Sequence, residues 1–260
     1  MTSVPARAGR TNEDFTGAVP TAAVLIDGAG IPGTESICRH GVAWYAGHLG
    51  GSLLGLLSGN ADRGLSALLA EAIERVTDKH RDTCDVASTI SPSAMVAVLR
   101  VSDGLVEYLV LGDTVIVLDR PDGAPLVVSD PRETIVCRPY RSALEAIPEG
   151  SDEYRRVLQD LRSHRNRPGG FWVAKDDPRA ADEAITGSCP VSEVTCAALL
   201  SNGASRLADV FGLADWPEIM TVLASNGPTE IIDRVRRAET RQAVPPDDTT
   251  ITYCTDLGKS

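Results

Sequence analysis

Leu65, Leu68, Leu69, Ala72, Ile73 and Val76 recur at i, i+3, i+4, i+7, i+8 and i+11, with polar residues between them. That spacing draws one apolar stripe along a helix, the face that turns toward a core. Upstream, residues 21 to 26 are continuously apolar after Thr21, with Val24 and Ile26 β-branched, and read as a strand. A helix is expected from about Glu35 to Leu57, ending at "SGNADRG". In the middle of the chain the pattern changes to short apolar runs. "SAMVAVLRV" (93–101) and "LVEYLVLGD" (105–113) flank Ser102-Asp103-Gly104, a hairpin signal, and "TVIVLD" (114–119) and "PLVVSD" (125–130) flank a Pro-Asp-Gly turn. These predict an antiparallel meander rather than β-α-β units. Residues 131–190 are less regular, with one helix expected near Glu153–Leu161 and an extended piece at Phe171–Ala174. A strand at 195–201, helices near 205–211, 216–224 and 228–239, and a last strand at 249–254 complete the series. Helices early, antiparallel strands in the middle and helices late predict an α+β fold. We expect a mobile arm over residues 1–11 and a single domain over 12–260.

Composition narrows the function classes. Of 260 residues, 43% are hydrophobic and 23% charged, and no run of about 18 apolar residues is present, so no membrane partner is expected. The N-terminus lacks the apolar stretch of a secretory signal. Asp and Glu number 36 against 25 Lys and Arg, a formal charge of −11 that repels nucleic-acid phosphates. The densest basic stretch, Arg162 to Pro168, has no interleaved aromatics and reads as a solvated loop. Six cysteines (Cys38, Cys84, Cys137, Cys189, Cys196, Cys254) and four histidines show no C-x-x-C pair and no zinc-type spacing. They read as scattered, reduced residues of a cytoplasmic protein, with His40 and His48 in a helical stretch.

Gly28, Gly30 and Gly33 follow the first strand in the spacing G-x-G-x-x-G. A dinucleotide loop needs a β-α-β unit and an acid about 20 residues on, at the end of a second strand. Here a helix follows a helix, and Asp27 sets a carboxylate where a pyrophosphate would lie. The dinucleotide reading fails. Asp27 itself is the more informative residue, because hard cations such as Mg²⁺ or Mn²⁺ are held by several oxygens drawn from separate strand ends. Glu13 and Asp14 precede the first strand region, Asp113 ends a strand, and Asp247 and Asp248 precede the last one.

These segments together resemble the type-2C, metal-dependent serine/threonine phosphatases. "NED" (12–14), "DGAG" (27–30), "SPSAMVAVL" (91–99), "LGDT" (111–114), "LLSNGAS" (199–205) and "DDTTIT" (247–252) follow the order and approximate spacing of that family's motifs over nearly the whole chain. The resemblance implies a four-layer α-β-β-α sandwich of two antiparallel sheets flanked by helices. It implies two Mn²⁺ or Mg²⁺ ions, with Asp27 between them, Glu13 and the Gly28 carbonyl on one and Asp248 on the other. Asp14 belongs to the same acidic set, and Asp113 matches an aspartate associated with an additional, weaker ion. A metal-bridging hydroxide would then hydrolyse a phosphomonoester of a phosphoserine or phosphothreonine protein, or of a smaller phosphorylated metabolite.

The chain departs from the motifs at four places. Asn202 stands where the family has an aspartate ligand, an amide in place of a charge, which weakens one metal position. Ile31 and Pro32 replace the second glycine after D-G-x-G, and Thr249 an asparagine. The family's phosphate-gripping arginine falls at Gly9, with Arg10 next to it as the substitute. The alternative implied by Asn202 is a weak or inactive pseudo-phosphatase serving as a binding module. Residues 166–190 are expected to be either core strand or a flap at the substrate entrance, where Asp176 and Asp177 are candidates for a third metal.

Overall fold

The computed structural model describes residues 1–31, 34–60, 62–148 and 150–258; Pro32 and Gly33, part of the glycine pattern above, lie outside the described residues. Two five-stranded antiparallel sheets face each other. One has the order β2-β3-β4-β5-β8, built from Phe15–Val19, Ala22–Ala29, Ser93–Ser102, Leu105–Leu111 and Ile185–Pro190. The other has the order β1-β10-β9-β6-β7, built from Thr2–Val4, Thr249–Thr255, Cys196–Leu200, Val115–Asp119 and Leu126–Ser129. Side chains alternate across β3. Val24 and Ile26 face α1 (Val42–Gly59) and α2 (Leu65–His80), while Ala23 and Leu25 face Ile116, Leu118, Ala197 and Leu199 of the other sheet. The stripe from Leu65 to Val76 is buried as the periodicity demands, each fully covered apolar side chain contributing about 1.5–3 kcal/mol. Helices α5 (Asn202–Asp209), α6 (Trp216–Asn226) and α7 (Pro228–Gln242) cover the outer face of the second sheet. The four-layer α-β-β-α arrangement follows.

The turns behave as their residues require. Asp103 and Gly104 take φ of 50° and 73°, the left-handed pair of a two-residue hairpin joining β4 to β5. Gly112, at φ 82°, lies against Met95 where the chain leaves β5 and crosses to the other sheet at β6.

Several expectations are corrected. Residues 1–11 are not simply an arm: Thr2–Val4 pairs with Ile251–Thr249 as an edge strand, a register too short to leave an alternating pattern. The first long helix starts at Val42 rather than Glu35, because Gly41 at φ 78° begins it, so His40 precedes the helix and only His48 lies within it. An unpredicted helix, α3 (Arg132–Ala146), runs through Pro139 and packs on α4 (Asp152–Arg162), which Ser151 caps through the Tyr154 amide. Residues 166–190 are not a flap. Phe171 is buried, Ala174 bridges to Ala94, a 3₁₀ turn at Pro178–Glu183 packs on α2, and β8 completes the first sheet beside β5.

Candidate functional site

The strand register decides which side chains meet. Asp27 follows Ala23 and Leu25 in alternation, so its carboxylate enters the space between the sheets at the end of β3. Asp113 sits in the crossing from β5 to β6, Asp248 stands immediately before β10, Glu13 and Asp14 before β2, and Asn202 opens α5 after β9. One end of the sandwich therefore gathers acids from four separate connections.

Hydrogen bonds tie these groups together. The Asn202 amide N–H donates to Asp27 Oδ2 at 2.8 Å, and its side-chain Nδ2 donates to Asp113 Oδ2 at 2.7 Å. Thr250 Oγ1 donates to Asp14 Oδ2 at 2.7 Å. Asp248 accepts the Ala6 amide on Oδ1 and the Glu13 amide on Oδ2, both at 2.7 Å, which fastens the N-terminal segment to β10. Gly28 has no room for a side chain, since a Cβ there would lie 2.3 Å from the Glu13 carbonyl. Its close approach to Glu13 is why glycine stands at that position.

The electrostatics are those of crowded, poorly hydrated acids. Burial, then the charges of Asp14 and Asp113, hold the Asp27 carboxyl well above the ordinary carboxylate range. Burial and then Glu133 do the same for Asp113. Burial raises Asp14 to about 7, with Asp248 and Asp247 adding to the effect and the Thr250 hydrogen bond opposing it. Glu13 is raised by burial against the pull of Arg10. Asp113 Oδ1 is buried with no hydrogen-bond partner. An orphaned buried carboxylate oxygen among mutually repelling carboxylates matches the donor set of a hard divalent cation, and Asp27, Asp14, Asp113, Glu13 and the Gly28 carbonyl are the groups that could hold one. Asp248 accepts one backbone amide on each oxygen, which orients the carboxylate and leaves acceptor capacity on both. Asn202 is a donor to both acidic neighbours, through its backbone N–H and its Nδ2. No three of the acids' ligand atoms converge within 4.8 Å of one another among the described residues.

Arg10 is exposed on the wall of a cavity of about 340 Å³ that Glu13, Gly30, Thr34 and Pro92 also line. The stretch read as a solvated basic loop is instead built into this end of the molecule. Arg162 is buried, donates from Nη2 to the Gly30 carbonyl at 2.6 Å, and keeps Nη1 without a partner. Burial and then Arg165 lower its pKa to about 9. Arg165 reaches Ser93 Oγ at 2.9 Å, and both guanidinium groups act on Glu133. The amphipathic turn from Leu161 to Arg165, continuous with α4, was the available signal for this burial. Asp176 and Asp177 stand outside the acidic group: Lys175 pairs with Asp176, and Asp177 caps the 3₁₀ turn and pairs with Arg179 at 2.6 Å.

Neither a protein-family model nor a curated protein matches the sequence. Solved structures do match the fold over almost the whole chain. The PPM Ser-Thr phosphatase MsPP from Mycobacterium smegmatis, in complex with cacodylate, aligns over 99% of this chain and 97% of its own at 17% identity and a TM-score of 0.59. The serine/threonine phosphatase Stp1 from Staphylococcus aureus aligns over 99% and 94% at 13% identity, TM-score 0.63. The catalytic domain of the phosphatase PstP, in complex with two manganese ions, aligns over 97% and 95% at 14% identity, TM-score 0.59. No helix among the described residues is long and apolar enough to cross a membrane. The order and pairing of the strands, and the helices on either face, give this chain the fold of the PPM serine/threonine phosphatases.

Proposed function

We propose that the protein is a divalent-cation-dependent phosphomonoester hydrolase acting on phosphoserine or phosphothreonine in proteins. The observation that carries this reading is the buried set of acids at one end of a PPM-type sandwich, with Asp113 Oδ1 left without a partner. Mn²⁺ or Mg²⁺ bound there would supply Lewis acidity and an activated water for attack on phosphorus. Asp27, held by the Asn202 amide, would be the central carboxylate, with Glu13 and the Gly28 carbonyl holding one ion, Asp248 the other, and Asp113 an additional, weaker one beside Asp14. Arg10, exposed on the cavity wall, would meet a phosphoryl oxygen by its guanidinium fork. Asn202 holds Asp27 and Asp113 at a set distance without adding charge.

A second reading, a phosphoprotein-binding module with little or no turnover, is favoured by one observation: the group between Asp27 and Asp113 is the amide of Asn202, which adds no charge for a cation. Hydrolysis of p-nitrophenyl phosphate and of a phosphothreonine peptide, with Mn²⁺ and then Mg²⁺, separates the two. The phosphatase reading expects metal-dependent release of phosphate that falls to background in Asp27→Ala. A natively folded protein that releases no phosphate at saturating Mn²⁺ would overturn it and leave the binding module. Turnover of the small ester without the peptide would move the substrate to a smaller phosphorylated molecule.

A further inference from the structure

The cysteines and histidines that look scattered in the sequence are not scattered in space. Cys38, His40, His80 and Cys84 each offer one ligand atom, and the four atoms all lie within 4.8 Å of one another. His40 Nδ1 stands 4.0 Å from Cys38 Sγ and 3.4 Å from Cys84 Sγ, and His80 Nδ1 stands 3.7 Å from Cys38 Sγ. A tetrahedral zinc ion with bonds of about 2.3 Å to sulfur and about 2.0 Å to nitrogen separates its sulfur and nitrogen ligands by roughly 3.5 Å. The observed spacings bracket that value. Two thiols and two imidazoles are also the softer donor set that Zn²⁺ prefers over the oxygens suited to Mg²⁺.

The backbone brings the four together from two short segments. Cys38 closes a helical turn whose amide bonds to the Thr34 carbonyl, and His40 sits just before Gly41 opens α1. His80 is the last residue of α2, and Thr83 bonds back to its carbonyl so that the chain curls and presents Cys84. The Asp85 amide donates to the Ile37 carbonyl at 2.9 Å, joining the segments independently of the side chains. Trp44 stacks on the His40 ring at 4.4 Å and an interplanar angle of 25°, and Cys38 and His80 are buried. The ring orientation and the shielding are thus built before any ion arrives.

We propose that Cys38, His40, His80 and Cys84 form a structural Zn²⁺ site that clamps the segment between β3 and α1 to the end of α2. The clamp lies next to the proposed hydrolytic site: Cys38, with Glu13, Arg10 and Gly30, lines the 340 Å³ cavity. It stiffens a wall of that cavity and takes no part in chemistry there. The inference does not rest on the phosphatase reading, because metal content and spectroscopy test it without an activity.

The experiment is titration of the reduced, metal-free protein with Co²⁺, followed by Zn²⁺. One equivalent of Co²⁺ should produce a thiolate-to-cobalt charge-transfer band and tetrahedral d–d absorption, and Zn²⁺ should abolish both. Cys38→Ser and Cys84→Ser should weaken binding by more than the roughly 10–100-fold that loss of an outer-shell partner costs. Asp27→Ala should leave the band unchanged. Cys84→His keeps a fourth ligand should the serine variants misfold, and it should retain binding with about half the charge-transfer intensity. Absence of a thiolate band in the reduced wild type overturns the proposal, as does a band lost in Asp27→Ala and kept in Cys84→Ser. A Cys38–Cys84 disulfide that, once reduced, gives no metal binding does so equally.

Discussion

Two polar centres flank the segment that joins β3 to α1, and they are built on opposite principles. The acidic centre collects carboxylates whose charges oppose one another, so each raises the pKa of the next. The Cys/His centre collects thiols and imidazoles, and its ligand atoms already lie within 4.8 Å of one another. The first carries a standing electrostatic cost in the absence of a cation. The second holds no carboxylates, and an ion there would add stability by joining two segments. A ligand is thus a neutraliser in one place and a fastener in the other.

The largest expected effect of that difference is a pH dependence. Asp14 titrates near 7 in the folded protein and near 3.8 when unfolded, and Asp27 and Asp113 are raised as well. Between those values the native state binds more protons than the unfolded chain, so stability declines as pH rises. The metal-free protein should therefore lose several kcal/mol between about pH 4 and about pH 7, measured by urea denaturation. Saturating Mn²⁺ should flatten the curve at its alkaline end. A flat profile without metal would break the contrast between the two centres.

Asn202→Asp comes next in size. It replaces a 2.7 Å hydrogen bond to Asp113 with a second carboxylate. We expect a loss of about 1–3 kcal/mol in the metal-free protein, the cost of a buried group left facing a like charge. With Mn²⁺ the order should reverse, because the added charge raises cation affinity. Melting temperatures with and without the ion read both halves. Gly28→Ala is smaller and one-sided: a Cβ 2.3 Å from the Glu13 carbonyl pushes β3 from that segment and should cost about 1–2 kcal/mol with or without metal.

The same contrast explains what could be read from the chain. Asp27, Asp113 and Asp248 each abut an apolar run, so their places at strand ends followed from periodicity, and the two hairpins pair about the turns those runs implied. The Cys/His centre left no such trace, since Cys38 and His80 are 42 positions apart and come together through the packing of α1 on α2 and the Asp85–Ile37 backbone hydrogen bond. Arg162 reads as solvated because a run of arginines ordinarily signals solvent, whereas here Leu161 and Phe171 bury its neighbourhood. The edge strands Thr2–Val4 and Ile185–Pro190 are held by their partners' ladders and carry little pattern of their own. Asp248's commitment to two backbone amides is a property of tertiary contact, invisible in "DDTT".

The smallest expected effect isolates the second centre from the first. Trp44 lies between the rings of His40 and His48, 4.4 Å from one and 4.1 Å from the other. Trp44→Leu removes the stacking surface that orients His40 and keeps an apolar side chain on α1. Aromatic pairs of this kind contribute about 0.5–1.5 kcal/mol beyond their area, so stability should fall by about 1 kcal/mol. His40 would then be ordered at the moment of ion binding rather than before it, and Zn²⁺ affinity should drop by about tenfold, as for other outer-shell changes. The acidic centre should be indifferent, with the same pH profile and the same response to Mn²⁺ as the wild type. A change in Mn²⁺ response in Trp44→Leu would mean that the two centres are coupled through the β3–α1 segment. An unchanged Zn²⁺ affinity would mean that the backbone alone, through the Asp85–Ile37 hydrogen bond, sets the position of His40.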